Sequence, residues 1–157
     1  MKLEGSCHCG AVRFTCDSNH PVPYQRCYCS ICRKTAGGGG YAINISARSE
    51  SLDVEGEDAV GVYHATIGGE HSTAQRRFCT KCGSALWLYD PTWPELIHPH
   101  ASAIDTPLPV PSEHTHLLID SKASWVEVEA GPRDKTFDGY PDESIAHWHE
   151  RTGNAVE

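Results

Sequence analysis

CHCGAVRFTC, residues 7–16, joins two unlike signals. Its first half is a cysteine pair, Cys7 and Cys9, closed by Gly10. Its second half alternates. Val12, Phe14 and Cys16 fall on one side of an extended chain, with Arg13 and Thr15 on the other, so residues 11–16 read as a strand. The same grammar recurs at CTKCG, residues 79–83, where Cys79 and Cys82 precede Gly83 and residues 84–89 again read as a strand. A glycine directly after the second cysteine gives the positive φ that a sharp metal knuckle can need. Two such pairs supply four thiolates, the number that closes a tetrahedral structural zinc. Pairing Cys7 and Cys9 with Cys79 and Cys82 would clamp the N-terminus to the middle of the chain.

A third cluster differs. CYCSICRK, residues 27–34, offers Cys27, Cys29 and Cys32, and Arg33 stands where the other clusters have glycine. Three ligands leave one zinc position for water or substrate. Closure by a histidine or by Cys16 is the alternative on spacing alone. Cys16 fits the core better, beside Val12 and Phe14, because a free cysteine behaves as a small apolar residue. Of the ten histidines, His98 with His100 and His114 with His116 have strand spacing, which puts each pair on one face. His147 and His149 lie in a helical stretch, where that spacing separates them. Solvated or partly buried histidines remain the plainer reading of all three pairs.

The 157 residues predict a single domain, residues 1–157. Further strands are expected at residues 24–29, 41–45, 60–67, 73–79, 96–104 with an interruption at Pro99, 116–120, and around Trp125, Val126 and Val128. Residues 30–36 suit one or two helical turns. DGYPDESIAHWHERTG, residues 138–153, predicts a C-terminal helix, with Pro141 in its first turn, Asp142 and Glu143 complementing the dipole, Ile145 and Trp148 on the buried stripe and Gly153 as its stop. The expected class is mainly β with a short C-terminal helix.

Net charge is −8, which argues against nucleic acid and anionic membrane as partners. No run of about 20 apolar residues predicts a spanning helix. MKLEGSCHCG at the start has no apolar stretch of a secretory leader, so a cytoplasmic, reducing location is expected. There, eight cysteines read as metal ligands or catalytic thiols rather than disulfides. The HExxH motif of zinc hydrolases and the zinc-deaminase pattern are absent, and Gly37 to Gly40 lack the Lys-Ser/Thr of a phosphate loop. A soft site of three thiolates suits an exogenous thiol better than peptide hydrolysis. Arg33, Lys34, Arg76, Arg77 and Lys81 are either cations that offset the anionic site and meet ligand carboxylates, or ordinary solvated surface.

GSCHCGAVRF at 5–14, CYCSICRKTAG at 27–37, RRFCTKCGSALW at 76–87, HLLIDSKASWVEV at 116–128 and FDGYPDES at 137–144 resemble the glutathione-dependent formaldehyde-activating enzyme family, whose domain centromere protein V shares. The resemblance spans nearly the whole chain in order. It implies an Mss4-like fold of small antiparallel sheets, stabilised by zinc, with two Zn2+ per chain. Cys7, Cys9, Cys79 and Cys82 would hold the structural zinc, and Cys27, Cys29 and Cys32 the catalytic one. It also implies a carbon–sulfur lyase of the S-hydroxymethylglutathione synthase type, joining formaldehyde or a related small electrophile reversibly to glutathione. Two alternatives stay open: a noncatalytic thiol-binding or protein-interaction zinc module, and a thiol-redox enzyme. The sequence does not specify the oligomeric state.

Overall fold

A computed structural model describes residues 1–154 of the chain. In order the elements are β1 (Lys2–Ser6), β2 (Arg13–Asp17), β3 (Gln25–Cys27), α1 (Ser30–Ala36), β4 (Ala42–Asn44), β5 (Ala47–Arg48), β6 (Asp53–Glu55), β7 (Val60–Tyr63), β8 (Thr66–Ile67), β9 (Glu70–His71), β10 (Gln75–Cys79), β11 (Ala85–Tyr89), β12 (Leu96–Pro99), β13 (Thr115–Leu117), β14 (Lys135–Thr136) and α2 (Ile145–Thr152). The mainly β expectation holds. Among the described residues, no helix is long and apolar enough to cross a membrane. The chain forms two compact units, one from Met1–Asn19 and Asn44–Leu108, the other from His20–Ile43 and the chain from Pro109 onward.

The first unit holds sheets ordered β1-β2-β6 and β5-β12-β11-β10-β7, with β8 and β9 as a separate pair. All of these pairings are antiparallel. The alternation read in residues 11–16 is real. Val12 and Phe14 are buried, and Cys16 lies opposite Leu3 across β1 and β2. Phe14 meets Trp87 edge-on with ring centroids 5.1 Å apart. Leu3, Leu86 and Ile97 are almost wholly buried beside them. Each such side chain contributes about 1.5–3 kcal/mol by leaving water. Strand β1 has little sequence signal, because its two buried positions are Leu3 and Gly5, and glycine shows no side chain to a pattern reader.

The second unit holds the sheet β14-β13-β3-β4 and both helices. Here the antiparallel expectation needs correction, because β13 runs parallel to both β3 and β14. These strands are far apart in sequence, so no tight hairpin fixes their direction. Cys27, Cys32, Ala42 and Leu117 form a buried cluster, with Cys29, Ala36 and Leu118 packed on it.

Other expectations shift for local reasons. Trp125, Val126 and Val128 form no strand. The Val126 N–H donates to Ala123 O at 3.1 Å and the Ala130 N–H to Val128 O at 3.1 Å, so local turns take up backbone groups a sheet would use. Val126 is nevertheless buried, while Trp125 is 65% exposed, so the alternation marked burial rather than pairing. Residues 96–104 stop as a strand at Pro99 and continue as a 3₁₀ turn, Ala101–Ala103. Residues 116–120 break at Leu118, whose φ of 56° is left-handed, and a 3₁₀ turn follows at Ile119–Ser121. The tail helix starts later than Pro141. Ser144 caps it, its Oγ accepting the His147 N–H at 3.1 Å, and Gly153 ends it at φ 72° as expected. Trp148 is its buried residue, with Ile145 half-buried.

Candidate metal centres

In the first unit, β1 delivers the chain to Cys7, and Cys79 ends β10. The two knuckles are near copies. The Gly10 N–H donates to Cys7 O at 3.1 Å and the Gly83 N–H to Cys79 O at 2.8 Å. The Cys7 N–H donates to Val12 O at 3.0 Å and the Cys79 N–H to Ser84 O at 2.9 Å. Gly10 and Gly83 have φ of 76° and 77°, the left-handed turn that their position after each pair implied. Ser84 links the knuckles: its Oγ accepts the His8 N–H at 3.0 Å and lies 3.1 Å from Cys82 Sγ.

The four Sγ atoms of Cys7, Cys9, Cys79 and Cys82 lie within 4.8 Å of one another. Cys7 and Cys9 Sγ are 3.6 Å apart, and Cys9 and Cys79 Sγ are 3.8 Å apart. A tetrahedron with zinc–sulfur bonds of about 2.3 Å has edges of about 3.8 Å, whereas a disulfide needs about 2.05 Å. All eight cysteines are free thiols. The cluster therefore fits a tetrahedral metal. The Val12 N–H donates to Cys7 Sγ at 3.2 Å, the kind of amide bond that stabilises a thiolate. Cys82 is pulled down to about 5, first by its Ser84 hydroxyl contact and then by the amides of Ser84 and Cys9.

In the second unit, Cys27 ends β3 and Cys29 caps α1. Cys29 Sγ accepts the Cys32 N–H at 3.3 Å, and the Arg33 N–H donates to Cys29 O at 2.9 Å. Cys32 lies inside the helix, so the chain leaves this cluster by helical turn rather than by a left-handed residue. That explains arginine where the other clusters have glycine. The Sγ atoms of Cys27, Cys29 and Cys32 also lie within 4.8 Å of one another. Cys27 and Cys32 are buried and Cys29 is half-buried. Hydrogen bonds from the Cys27 and Cys32 thiols pull Cys29 down to about 2, and sharing with Cys29 pushes Cys27 up. A soft cation bound here would displace the thiol protons of the cluster. Among the described residues, no histidine, carboxylate or further cysteine joins either cluster.

The histidine pairs serve other ends. His100 is buried, with no hydrogen-bond partner at Nδ1, and burial pulls it down to about 4. His114 and His116 both meet Asp134. His147 and His149 lie on α2, where their spacing separates them. Of the candidate cations, Arg33 and Lys34 lie in the last turn of α1. Arg77 lines a cavity of ≈ 600 Å³ with Trp87 and Tyr89 in the first unit. Sequence reading missed Arg26, which sits beside Cys27 with its guanidinium 5.1 Å from the Tyr41 ring centroid. It also missed Tyr28 and Asp134. Tyr28 looked like a spacer, and Asp134 has no motif around it.

Residues 2–119 match the family model for glutathione-dependent formaldehyde-activating enzyme. The chain belongs to that family. It is 60% identical over 153 residues to a Halomonas elongata protein that carries the same family name provisionally, with 98% of each chain covered. A crystal structure of a Rhodobacter sphaeroides protein is similar with TM-score 0.52 and 29% identity, covering 69% of this chain and 92% of that one. All seven clustered cysteines lie within the stretch matched to the glutathione-dependent formaldehyde-activating enzyme family, and Asp134 and α2 lie beyond it.

Proposed function

We propose that the chain is a zinc-dependent carbon–sulfur lyase of the glutathione-dependent formaldehyde-activating type, its 157 residues acting as one functional domain. Glutathione is the thiol and formaldehyde, or a related small electrophile, the partner. The observation that carries this reading is a three-sulfur cluster set apart from a complete four-sulfur one, in a chain of this family. Cys7, Cys9, Cys79 and Cys82 hold a structural Zn2+. Cys27, Cys29 and Cys32 hold a second Zn2+ with one position left for substrate. A zinc ion there supplies a soft Lewis-acid position that favours a thiol in its thiolate form. Three thiolates against one divalent cation leave the cluster anionic, which restrains hydrolytic chemistry. In the forward direction the glutathione sulfur gives its electron pair to the formaldehyde carbon. The carbon–sulfur bond forms, and the carbonyl oxygen takes up the proton the thiol gave up. The reverse reaction breaks that bond and returns thiol and aldehyde. Arg33 and Lys34, in the last turn of the helix that carries Cys32, supply positive charge for the anionic cluster and its carboxylate-bearing substrate.

Metal content and exchange kinetics test this directly. Native mass spectrometry should give two zinc per wild-type chain and one for Cys29→Ser. NMR exchange spectroscopy of a glutathione–formaldehyde mixture should show faster adduct interconversion with wild type than with buffer or Cys29→Ser. Failure to bind glutathione by calorimetry, together with an exchange rate equal to the spontaneous one, would sink the assignment.

A further inference from the structure

Tyr28 is the residue between the ligands Cys27 and Cys29, and it is 1% exposed. Its hydroxyl lies 2.8 Å from His116 Nδ1, and the two rings stack with centroids 5.8 Å apart. His116 is fully buried at 0% exposure, and its Nε2 lies 3.1 Å from Asp134 Oδ2. Asp134 is fixed in turn. Its Oδ1 accepts the His114 N–H at 2.7 Å, and its Oδ2 accepts the Gly131 N–H at 3.0 Å.

These bonds have one consistent direction. Both Asp134 oxygens already accept an amide, so this side chain works as an acceptor, the behaviour of an ionised carboxylate. His116 Nε2 must then carry the hydrogen. A buried histidine is neutral by preference, which leaves Nδ1 bare to accept from the Tyr28 hydroxyl. Burial raises the Asp134 carboxyl, but the His114 and Gly131 amides and the His116 bond outweigh it and hold the group below the usual carboxylate range.

We propose that Tyr28, His116 and Asp134 form a positioning relay for the Cys27–Cys32 cluster, so that the chain beyond the family-matched stretch takes part in that centre. Tyr28, one residue past β3, turns away from Cys27 to the side of the sheet that carries His116. Its backbone N–H donates to Leu117 O at 3.1 Å, while β13 pairs in register with β3, Leu117 opposite Cys27. Tyr28 is thus held at its backbone and at its hydroxyl tip. A residue fixed at both ends fixes the directions in which its two neighbours, the first two ligands, project. Outer-shell hydrogen bonds of this kind govern how firmly a site grips its metal.

The inference rests on the two-centre reading above, and its test separates the two. Wild type, Tyr28→Phe and Asp134→Asn are each loaded with Co2+, and metal loss to a chelator is followed by the thiolate-to-cobalt absorption. Tyr28→Phe keeps the ring and removes only the hydroxyl. Asp134→Asn turns one accepting oxygen into a donor that must face an amide or His116. Both variants should release one of the two metal equivalents about 10- to 100-fold faster than wild type, with a shifted absorption band. The other equivalent should leave at the wild-type rate. Val126→Ala, which truncates a buried side chain of the same unit outside the relay, should lower the melting temperature and leave release unchanged. Wild-type release rates in Tyr28→Phe would overturn the relay alone. So would equal acceleration by Val126→Ala, since the relay would then be ordinary packing. A wild-type chain holding a single equivalent would overturn both the relay and the two-centre reading.

Discussion

Gly83→Ala isolates the cost of the knuckle turn. The residue sits at φ 77°, and a Cβ added there meets nothing within 4 Å. The substitution therefore introduces no clash and removes no contact. What remains is the left-handed backbone itself, about 1–2 kcal/mol for an L-residue with a Cβ. If the knuckle holds its shape only when metal is bound, that energy appears as weaker metal binding, about 5- to 30-fold at 1.4 kcal/mol per decade. If the knuckle is preformed, it appears instead as lost stability of the metal-free chain. Competition with a zinc indicator and urea unfolding of both forms distinguish the two. Asparagine tolerates the left-handed region better than alanine, so Gly83→Asn should recover most of the loss. Gly10→Ala should behave alike, since Gly10 has φ 76° and only the Arg13 guanidinium at 3.8 Å. Unchanged affinity and stability in Gly83→Ala, or an equal loss in Gly83→Asn, would refute the turn argument.

Gly37→Ala should fail for the opposite reason. Its φ of −135° is ordinary, but a Cβ would lie 2.2 Å from Tyr41 O, so about 3 kcal/mol of overpacking is expected, while Gly38→Ala, with open space, should be neutral in the same melt. The attachment of α2 should be acid-sensitive. Arg151 first, then Lys135, pulls Glu143 down to about 2, and Arg151 likewise lowers Glu113, which accepts the Trp148 Nε1–H at 2.7 Å. A depressed carboxylate contributes stability that is fully present above its unfolded value, near 4.5, and is lost as pH falls through its folded value. Trp148 emission, taken by difference from Trp148→Phe, should therefore change between about pH 4.5 and 2. Cys16, 1% exposed and pushed up to about 11 by burial, should escape iodoacetamide in the folded, metal-loaded chain and react only on unfolding, as read by peptide mass.

What was legible in the sequence was whatever local chemistry writes down. Cysteine spacing is a covalent fact, so both clusters could be drawn before any coordinates. The glycines after two of them announced a left-handed turn, and Gly10 and Gly83 adopt it. The buried face of Val12, Phe14 and Cys16 was visible because strand alternation has period two. What escaped depends on distant partners. The parallel pairing of β13 with β3 leaves no mark in either strand. The strand expected around Val126 fails because burial and sheet pairing produce the same alternation, and only the hydrogen bonds separate them. The His114 and His116 pair was noticed for its spacing, yet its partner Asp134 stands 18 residues beyond His116 in a stretch without periodicity.

The two clusters also differ in how much chain they close, and this bears on why one gathers four sulfurs and the other three. Cys9 and Cys79 are 70 residues apart, so a metal shared between them closes a long loop. By the loop-closure scaling used for crosslinks, that removes roughly 4 kcal/mol of unfolded-chain entropy, against roughly 2 kcal/mol for the few residues between Cys27 and Cys32. The long clamp would gain most from holding a metal with a full set of protein ligands, because that metal would tie the knuckle after β1 to the knuckle at the end of β10. The triplet gains little by closing. Its residues are already set by β3, by the cap of α1 and by the partners of Tyr28, so its shape does not depend on a fourth protein sulfur. A centre whose geometry is supplied by the fold rather than by the ion can leave a coordination position to substrate at small cost in stability. If the proposed two-centre reading holds, the short spacing of CYCSIC would permit chemistry there, and the long spacing between CHCG and CTKCG would confine the other metal to structure.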